Sequence, residues 1–144
     1  MERTDTDIDR YLAGLPDDVR HDMVAIDAIA SEVFADHGKA LYVGKFWGGS
    51  DQEIIGYAPH MYRRPNGTEV DWFVVGLAVQ KNYLSMYISA VEGREYLSEK
   101  YGPDLGKVKV GKSSISFHSV DDLDLDAVRS LFARALELSV DALD

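Results

Sequence analysis

The chain of 144 residues contains no cysteine. Without thiols it has no disulfide framework, no iron–sulfur ligation, no thiolate zinc site and no cysteine nucleophile. No apolar run approaches the roughly 20 residues that span a bilayer. The first residues, Met1, Glu2 and Arg3 followed by alternating Thr and Asp, show no apolar stretch of the signal-peptide type. We therefore expect a cytoplasmic protein without a membrane partner.

Basic residues are also scarce, with 15 Lys and Arg against 25 Asp and Glu and a formal net charge of −10. Nucleic-acid binding needs a basic face, so we expect no nucleic-acid partner. The hydrophobic share of 46% and the charged share of 28% are those of an ordinary globular protein. The length predicts a single domain over residues 1–144.

Apolar residues spaced by three and four predict helices at both ends of the chain. A short helix is predicted over residues 7–13, and a second one opens at Pro16 and stops at Gly38. A further short helix is predicted over residues 92–101. Asp124 is the predicted N-cap of the last helix.

Alternating apolar and polar residues predict five strands, over residues 39–47, 53–62, 70–79, 83–90 and 113–118. Asn66-Gly67 predicts a hairpin turn, and the third strand, apolar on both faces, is predicted to be central. The order is α-α-β-β-β-β-α-β-α. Short links favour an α+β fold, a single-layer, curved and mainly antiparallel sheet of about five strands with the N- and C-terminal helices packed on one face.

Several segments resemble the YdhG-like bacterial family, in collinear order from Tyr11 to about Leu131. They are Phe46-Trp47-Gly48, Ile55-Gly56-Tyr57, Tyr62, Asp71-Trp72-Phe73, Gly76, the run from Lys81 to Ile88, the run from Gly111 to Ile115, and Asp122-Leu123-Asp124-Leu125. The resemblance implies an α+β fold with helices covering a curved sheet. The family is a domain of unknown function, and some relatives have been proposed as frataxin-like iron chaperones, so the resemblance also implies iron as a candidate cofactor.

The sheet face opposite the helices is the most informative surface. If Leu84, Met86 and Ile88 face the helices, then tyrosines and serines of the same strand face away, as do Ser114, Ser116 and His118 of the last strand. Aromatic rings with a few polar groups suit a small-ligand groove or a protein interface, and a second copy of the chain covering this face stays an alternative. The predicted binding residues are Trp47, Tyr57, Tyr62, Trp72, Tyr83, Tyr87, Lys112, Ser114, Ser116 and His118.

The segment from Gly106 to Ser113 has the letters of a phosphate-binding loop, G-x-x-x-x-G-K-S. That loop needs a buried strand before it and a helix after it, whereas Gly102-Pro103 precedes this segment and a strand pattern follows it. The sequence therefore predicts a basic surface loop. Its lysines, Lys107, Lys109 and Lys112, are candidates for attracting a small anion.

Asp17, Asp18, His21 and Asp22 form the one candidate metal cluster, because spacings of three and four place the last three on one side of a helix. Carboxylates with one imidazole suit ferrous or manganous ions, although acidic residues in a first helical turn also suit the helix dipole alone. No other cofactor is expected. Weak iron handling at this cluster is the alternative to ligand or partner binding on the sheet face.

A third alternative is a small-molecule enzyme, with His118 as a general base and Ser116 or Ser85 as a nucleophile. A nucleophilic serine needs an oriented base and an oxyanion hole, and the sequence contains no nucleophile-elbow pattern. The residues favour binding over catalysis, and no catalytic residue is assigned.

Overall fold

The structure, a computed structural model, describes residues 1–45 and 49–143. These residues form an α+β fold. The helices are α1 (Ile8–Ala13), α2 (Asp17–Val33), α3 (Leu97–Tyr101) and α4 (Leu125–Leu143). The main sheet contains β1 (Glu2–Arg3), β2 (Lys39–Lys45), β3 (Asp51–Tyr57), β6 (Val75–Val79), β7 (Leu84–Ile88), β10 (Lys109–Val110) and β11 (Ser114–Phe117). Two small hairpins pair β4 (His60–Arg63) with β5 (Glu69–Trp72), and β8 (Val91–Glu92) with β9 (Glu95–Tyr96).

Side-chain caps fix two of the helix starts. The Asp124 carboxylate accepts hydrogen bonds from the backbone N–H groups of Asp126 and Ala127, at 3.0 and 3.2 Å, so the predicted cap of α4 is confirmed. At α1 the cap is Asp7, which accepts from the Arg10 N–H. Pro16 stands directly before α2, where its missing N–H costs no helical hydrogen bond.

The main sheet is antiparallel throughout, in the order β1-β2-β3-β6-β7-β11-β10. β6 is the central strand, as its apolar character on both faces predicts. The sheet has seven strands rather than the predicted number of about five, and the element order differs from the predicted α-α-β-β-β-β-α-β-α. The edge strands β1 and β10 have two residues each and are too short to show an alternating pattern.

The predicted second and third strands each break into two. Residues 53–62 break between Tyr57 and His60, where Ala58 adopts a positive φ of 57° and Pro59 offers no N–H to a ladder. Residues 70–79 break at Phe73-Val74. The β4–β5 hairpin thereby leaves the main sheet and forms a sheet of its own.

The predicted helix over residues 92–101 is confirmed only from Leu97 to Tyr101. Its first half is wrong, because residues 91–96 form the β8–β9 hairpin.

Two apolar clusters lie on opposite faces of the sheet. The larger one packs side chains of α1, α2 and α4 against alternate residues of the strands, including Leu84, Met86 and Ile88. The smaller one contains Tyr42, Ile54, Phe73 and Ala78 and includes no helical residue. The helices of the larger cluster therefore pack on one face, and we call the opposite face the outer face.

Candidate functional site

The outer face changes from apolar to polar along one row of paired residues. From β2 to β10 the row is Tyr42, Ile54, Ala78, Ser85, Ser116 and Lys109. Paired residues of antiparallel strands share a face with their Cβ atoms about 5 Å apart. The first three members belong to the smaller apolar cluster, while the last two line a cleft at the β10 edge.

The apolar half of the outer face is already covered by the chain itself. Gly56 pairs with Gly76, and a Cβ built on Gly76 would lie 2.5 Å from the Phe73 ring, so this ring occupies the space above the two glycines. Trp72 stacks on Phe73 with ring centroids 4.4 Å apart. The Tyr42 hydroxyl donates to Asp71 at 2.8 Å, which fixes the end of the β4–β5 hairpin against the sheet.

The polar half carries the first of two clefts, which we call the lysine cleft. It has a volume of about 620 Å³, within the range of ligand pockets. Its polar lining residues are Tyr83, Lys107, Lys109, Ser114, Ser116 and His118. The structure thus brings together four of the predicted binding residues and adds two of the three lysines from the candidate anion-attracting loop.

His118 is oriented in this cleft by the turn between β6 and β7. Its Nδ1 lies 3.1 Å from the Asn82 carbonyl oxygen, and since a carbonyl only accepts, Nδ1–H is the donor. The Nε2 atom then accepts a hydrogen bond in the neutral ring and donates one in the protonated ring. Neither Ser85 nor Ser116 hydrogen-bonds His118 within the described part of the chain, so the structure shows no nucleophile–base pair there.

The second cleft, which we call the aromatic cleft, lies between the β4–β5 hairpin, the end of β7 and the end of α4. Its volume is about 520 Å³, and it contains three predicted residues, Tyr62, Trp72 and Tyr87. The remaining lining residues are His60, Phe73, Val74, Ile88, Ser89, Ala90, Val91, Ser113, Leu138, Ser139 and Ala142. His60 donates from Nδ1 to the Ala58 carbonyl at 2.9 Å. His60 is not among the predicted binding residues, and it lies beside Trp72 because the two residues pair directly across the β4–β5 hairpin.

Tyr57 was wrongly assigned to the outer face. It follows Gly56 in β3 and points to the helices, where it is fully buried and its hydroxyl donates to Asp27 of α2 at 2.6 Å. Burial, followed by the neighbouring Asp27 carboxylate, raises the pKa of Tyr57 well above its usual value. Lys112 lies in the turn before β11 and lines neither cleft. Trp47 lies outside the described residues.

The four candidate metal ligands are not brought together as one set. Asp17 forms an ion pair with Arg20. The buried carboxylate of Asp22 accepts a hydrogen bond at 3.1 Å from the Val120 N–H, at the 3₁₀ turn Val120–Asp122. Across residues 1–45 and 49–143, no three His, Asp or Glu side chains are arranged to hold a metal ion.

The segment from Gly106 to Ser113 does not form a nucleotide-binding loop. It contains β10 and leads into β11 rather than into a helix, so it lacks the loop-to-helix arrangement that a nucleotide-binding loop needs. Gly106 has a φ of 126° and packs against the Asp122 carbonyl, which explains the glycine without a phosphate ligand. Of the lysines in this segment, Lys109 belongs to the edge strand β10, while Lys107 and Lys112 lie just before and just after it.

Comparisons with known proteins found no match to this chain among family models, curated proteins or solved structures. The resemblance to the YdhG-like family stays a prediction. Among the helices of the described residues, none has the length and apolar character needed to cross a membrane.

Proposed function

We propose that this protein binds a small acidic molecule in the lysine cleft and acts by binding rather than by catalysis. The observation that carries the proposal is the lining of that cleft, where Lys107 and Lys109 stand beside two serine hydroxyls, a tyrosine and the oriented imidazole of His118. Such a mixture offers charge and several hydrogen-bond donors at one place.

The lysines of this segment are available to a ligand. Lys107, Lys109 and Lys112 form no ion pair with any described residue. Residues 105–120 contain no Asp or Glu, although the chain has 25 of them. This stretch is therefore a local positive region on a protein with a net charge of −10.

The negative net charge does not prevent anion binding at this place. Charges are screened over about 8 Å at physiological ionic strength, so distant carboxylates have little effect on the cleft. A lysine in contact with an anion at about 4 Å contributes roughly 1 kcal/mol in water, and about 4 kcal/mol where the effective dielectric constant is near 20. The described lining residues of the cleft include two lysines and no Asp or Glu, so the charge next to a bound anion is positive.

The test is a titration with inorganic phosphate, followed by amide NMR at physiological ionic strength. We expect saturable shifts confined to β10, β11 and the turn at Tyr83. The variant Lys107→Gln/Lys109→Gln should weaken binding by about tenfold or more, which corresponds to ~1.4 kcal/mol. The matched control Lys45→Gln/Arg94→Gln removes the same charge from two exposed positions outside the cleft and should change the affinity by less than about twofold.

Two results would overturn the proposal. Phosphate could produce no saturable shifts in the cleft, which would leave the lysines as solvated side chains. Alternatively, the two double variants could lose the same affinity, which would mean that phosphate responds to overall charge and not to this site.

A further inference from the structure

The lysine cleft and the aromatic cleft meet at one cross-strand pair, although the aromatic cleft also extends past the end of β7 to residues of α4. Tyr87 lines the aromatic cleft and pairs across the strands with Ser114, which lines the lysine cleft. Paired residues of this kind have Cβ atoms about 5 Å apart. Ser113, which directly precedes Ser114 in the chain, also lines the aromatic cleft. One ligand can therefore contact both clefts.

The two clefts differ in chemistry. The lysine cleft has two cationic side chains and several donors. The aromatic cleft is lined by rings, aliphatic groups and hydroxyls, with no Asp, Glu, Lys or Arg among its described lining residues. A site with a cationic end and an uncharged aromatic end fits a molecule that has an acidic group at one end and a ring at the other.

The strand geometry sets the size of such a molecule. Lys109 and Tyr87 lie two strands apart, with β11 between them, and two residues apart along the strands, because Lys109 pairs with Ser116 and Tyr87 with Ser114. Strand spacing of about 4.8 Å and a rise of about 3.3 Å per residue place their Cα atoms roughly 12 Å apart. A fused two-ring system that carries a phosphate or a carboxylate has a similar length.

We propose that the ligand of this protein is a ring-bearing organic anion. Its acidic group binds Lys107 and Lys109, and its ring lies in the aromatic cleft beside Tyr62 and Tyr87. This inference rests on the proposed function, because the acidic group occupies the lysine cleft. It goes further by assigning the second cleft and the second half of the ligand.

Three probes separate the contributions of the two clefts: 2-naphthyl phosphate, 2-naphthol and inorganic phosphate. When two fragments are joined without strain, the second contact becomes intramolecular and the affinity rises. We expect 2-naphthyl phosphate to bind at least about tenfold more tightly than either fragment, measured by calorimetry. Amide NMR should show shifts in both clefts with 2-naphthyl phosphate and in the lysine cleft alone with phosphate.

Single substitutions test whether the ring of 2-naphthyl phosphate binds in the aromatic cleft. Tyr62→Ala should weaken 2-naphthyl phosphate by about fivefold or more and leave phosphate binding unchanged, since Tyr62 lies in the aromatic cleft alone. Tyr62 is 38% exposed, so its removal leaves the fold intact. Met61→Ala is the matched control on the same hairpin, because Met61 is 53% exposed and lines neither cleft.

The outcomes distinguish this inference from the proposed function. If 2-naphthyl phosphate binds no more tightly than phosphate, and phosphate still needs Lys107 and Lys109, the ring site is wrong and the anion site stands. If neither phosphate compound binds saturably at the lysine cleft, both proposals fail. If binding of 2-naphthyl phosphate depends on Tyr62 but not on the lysines, the ligand is not an anion and the inference is overturned.

Discussion

At the scale of single residues, the two buried carboxylates of the described residues both accept hydrogen bonds from other parts of the fold. Asp27, 7% exposed, accepts hydrogen bonds from Tyr57, Lys39 and Ser31, and so joins α2 to β2 and β3. Asp22, also 7% exposed, accepts from the Val120 N–H. Buried polar groups are expensive unless they are paired, so these contacts account for both side chains without a metal.

Substitution of the candidate metal ligands tests this structural interpretation. Asp22→Ala leaves the buried Val120 N–H without its acceptor and should lower the free energy of unfolding by about 1–3 kcal/mol. Asp18→Ala removes an exposed carboxylate from the first turn of α2 and should cost less than about 1 kcal/mol. Urea denaturation measures both changes.

The same two variants also test the hypothesis that the acidic residues at the start of α2 bind iron. An anaerobic ferrous titration of the parent chain, followed by amide NMR, should give no saturable change confined to Asp17–Asp22. A localised change that both Asp18→Ala and Asp22→Ala abolish would contradict the structural interpretation and support iron handling.

The raised pKa values of three tyrosines predict that the folded chain loses stability at high pH. Burial raises the pKa of Tyr11 to about 12, and burial, together with Asp71 or Asp27, raises the pKa of Tyr42 and Tyr57. An unfolded tyrosine titrates near pH 10, at a lower pH than the folded one. The stabilisation is therefore complete below about pH 10 and is lost as the pH rises above it.

Phenolate absorbance checks this prediction. Of the 8 tyrosines, Tyr11, Tyr42 and Tyr57 should remain protonated at pH 11 for as long as circular dichroism shows a folded chain. Tyr57→Phe should reduce the alkaline loss of stability. Ionisation of all the tyrosines near pH 10 in a chain that is still folded would contradict the assigned environments.

At the scale of elements, the β4–β5 hairpin decides how much of the outer face is open. Its end is held by Asp71, whose carboxylate accepts from the Tyr42 hydroxyl at 2.8 Å and from Arg3 Nε at 3.1 Å. Arg3 belongs to the edge strand β1. A two-residue strand thus helps to keep Trp72 and Phe73 over the sheet.

Asp71→Ala should loosen this hairpin without unfolding the sheet. The Tyr42 hydroxyl and Arg3 lose a shared charged acceptor, and we expect the free energy of unfolding to fall by about 1–3 kcal/mol. Hydrogen exchange should accelerate in β4 and β5 more than in β6 and β7. The control Glu69→Ala removes an exposed ion pair with Arg63 and should cost less than about 0.5 kcal/mol. Equal exchange in all four strands would contradict a local role for Asp71.

At the scale of the whole molecule, the sequence predicts the two long helices and the facing of the regular strands, because the period of an apolar pattern is a local property. The alternation in β7 and β11 placed Tyr87, Ser114 and Ser116 on the outer face correctly. Tyr57 also follows this alternation, because Ile54 and Gly56 face outward while Ile55 and Tyr57 face the helices, so its inclusion among the binding residues goes against the pattern of its own strand. A pattern does not show where a strand bends, so the separation into two clefts became visible only in the structure.

The two apolar clusters share the same strands. In β3, Ile54 belongs to the smaller cluster and Ile55 to the larger one, and in β6 Ala78 and Leu77 are divided in the same way. A strand that loses its partners on one face also loses the register that holds the other face. We therefore expect the two clusters to unfold together, as small single domains generally do.

Core substitutions in the two clusters test this cooperativity. Phe73→Leu in the smaller cluster and Phe132→Leu in the larger one each remove a fully buried ring and should lower the free energy of unfolding by about 1–3 kcal/mol. In a Trp47→Phe background, Trp72 is the sole tryptophan, and it reports on the smaller cluster. Its fluorescence and the far-ultraviolet circular dichroism should give one urea midpoint in the parent and in both variants. If Phe73→Leu moved the fluorescence midpoint to lower urea while the circular dichroism stayed in place, the smaller cluster would be a separate folding unit, and the aromatic cleft beside it would open before the lysine cleft.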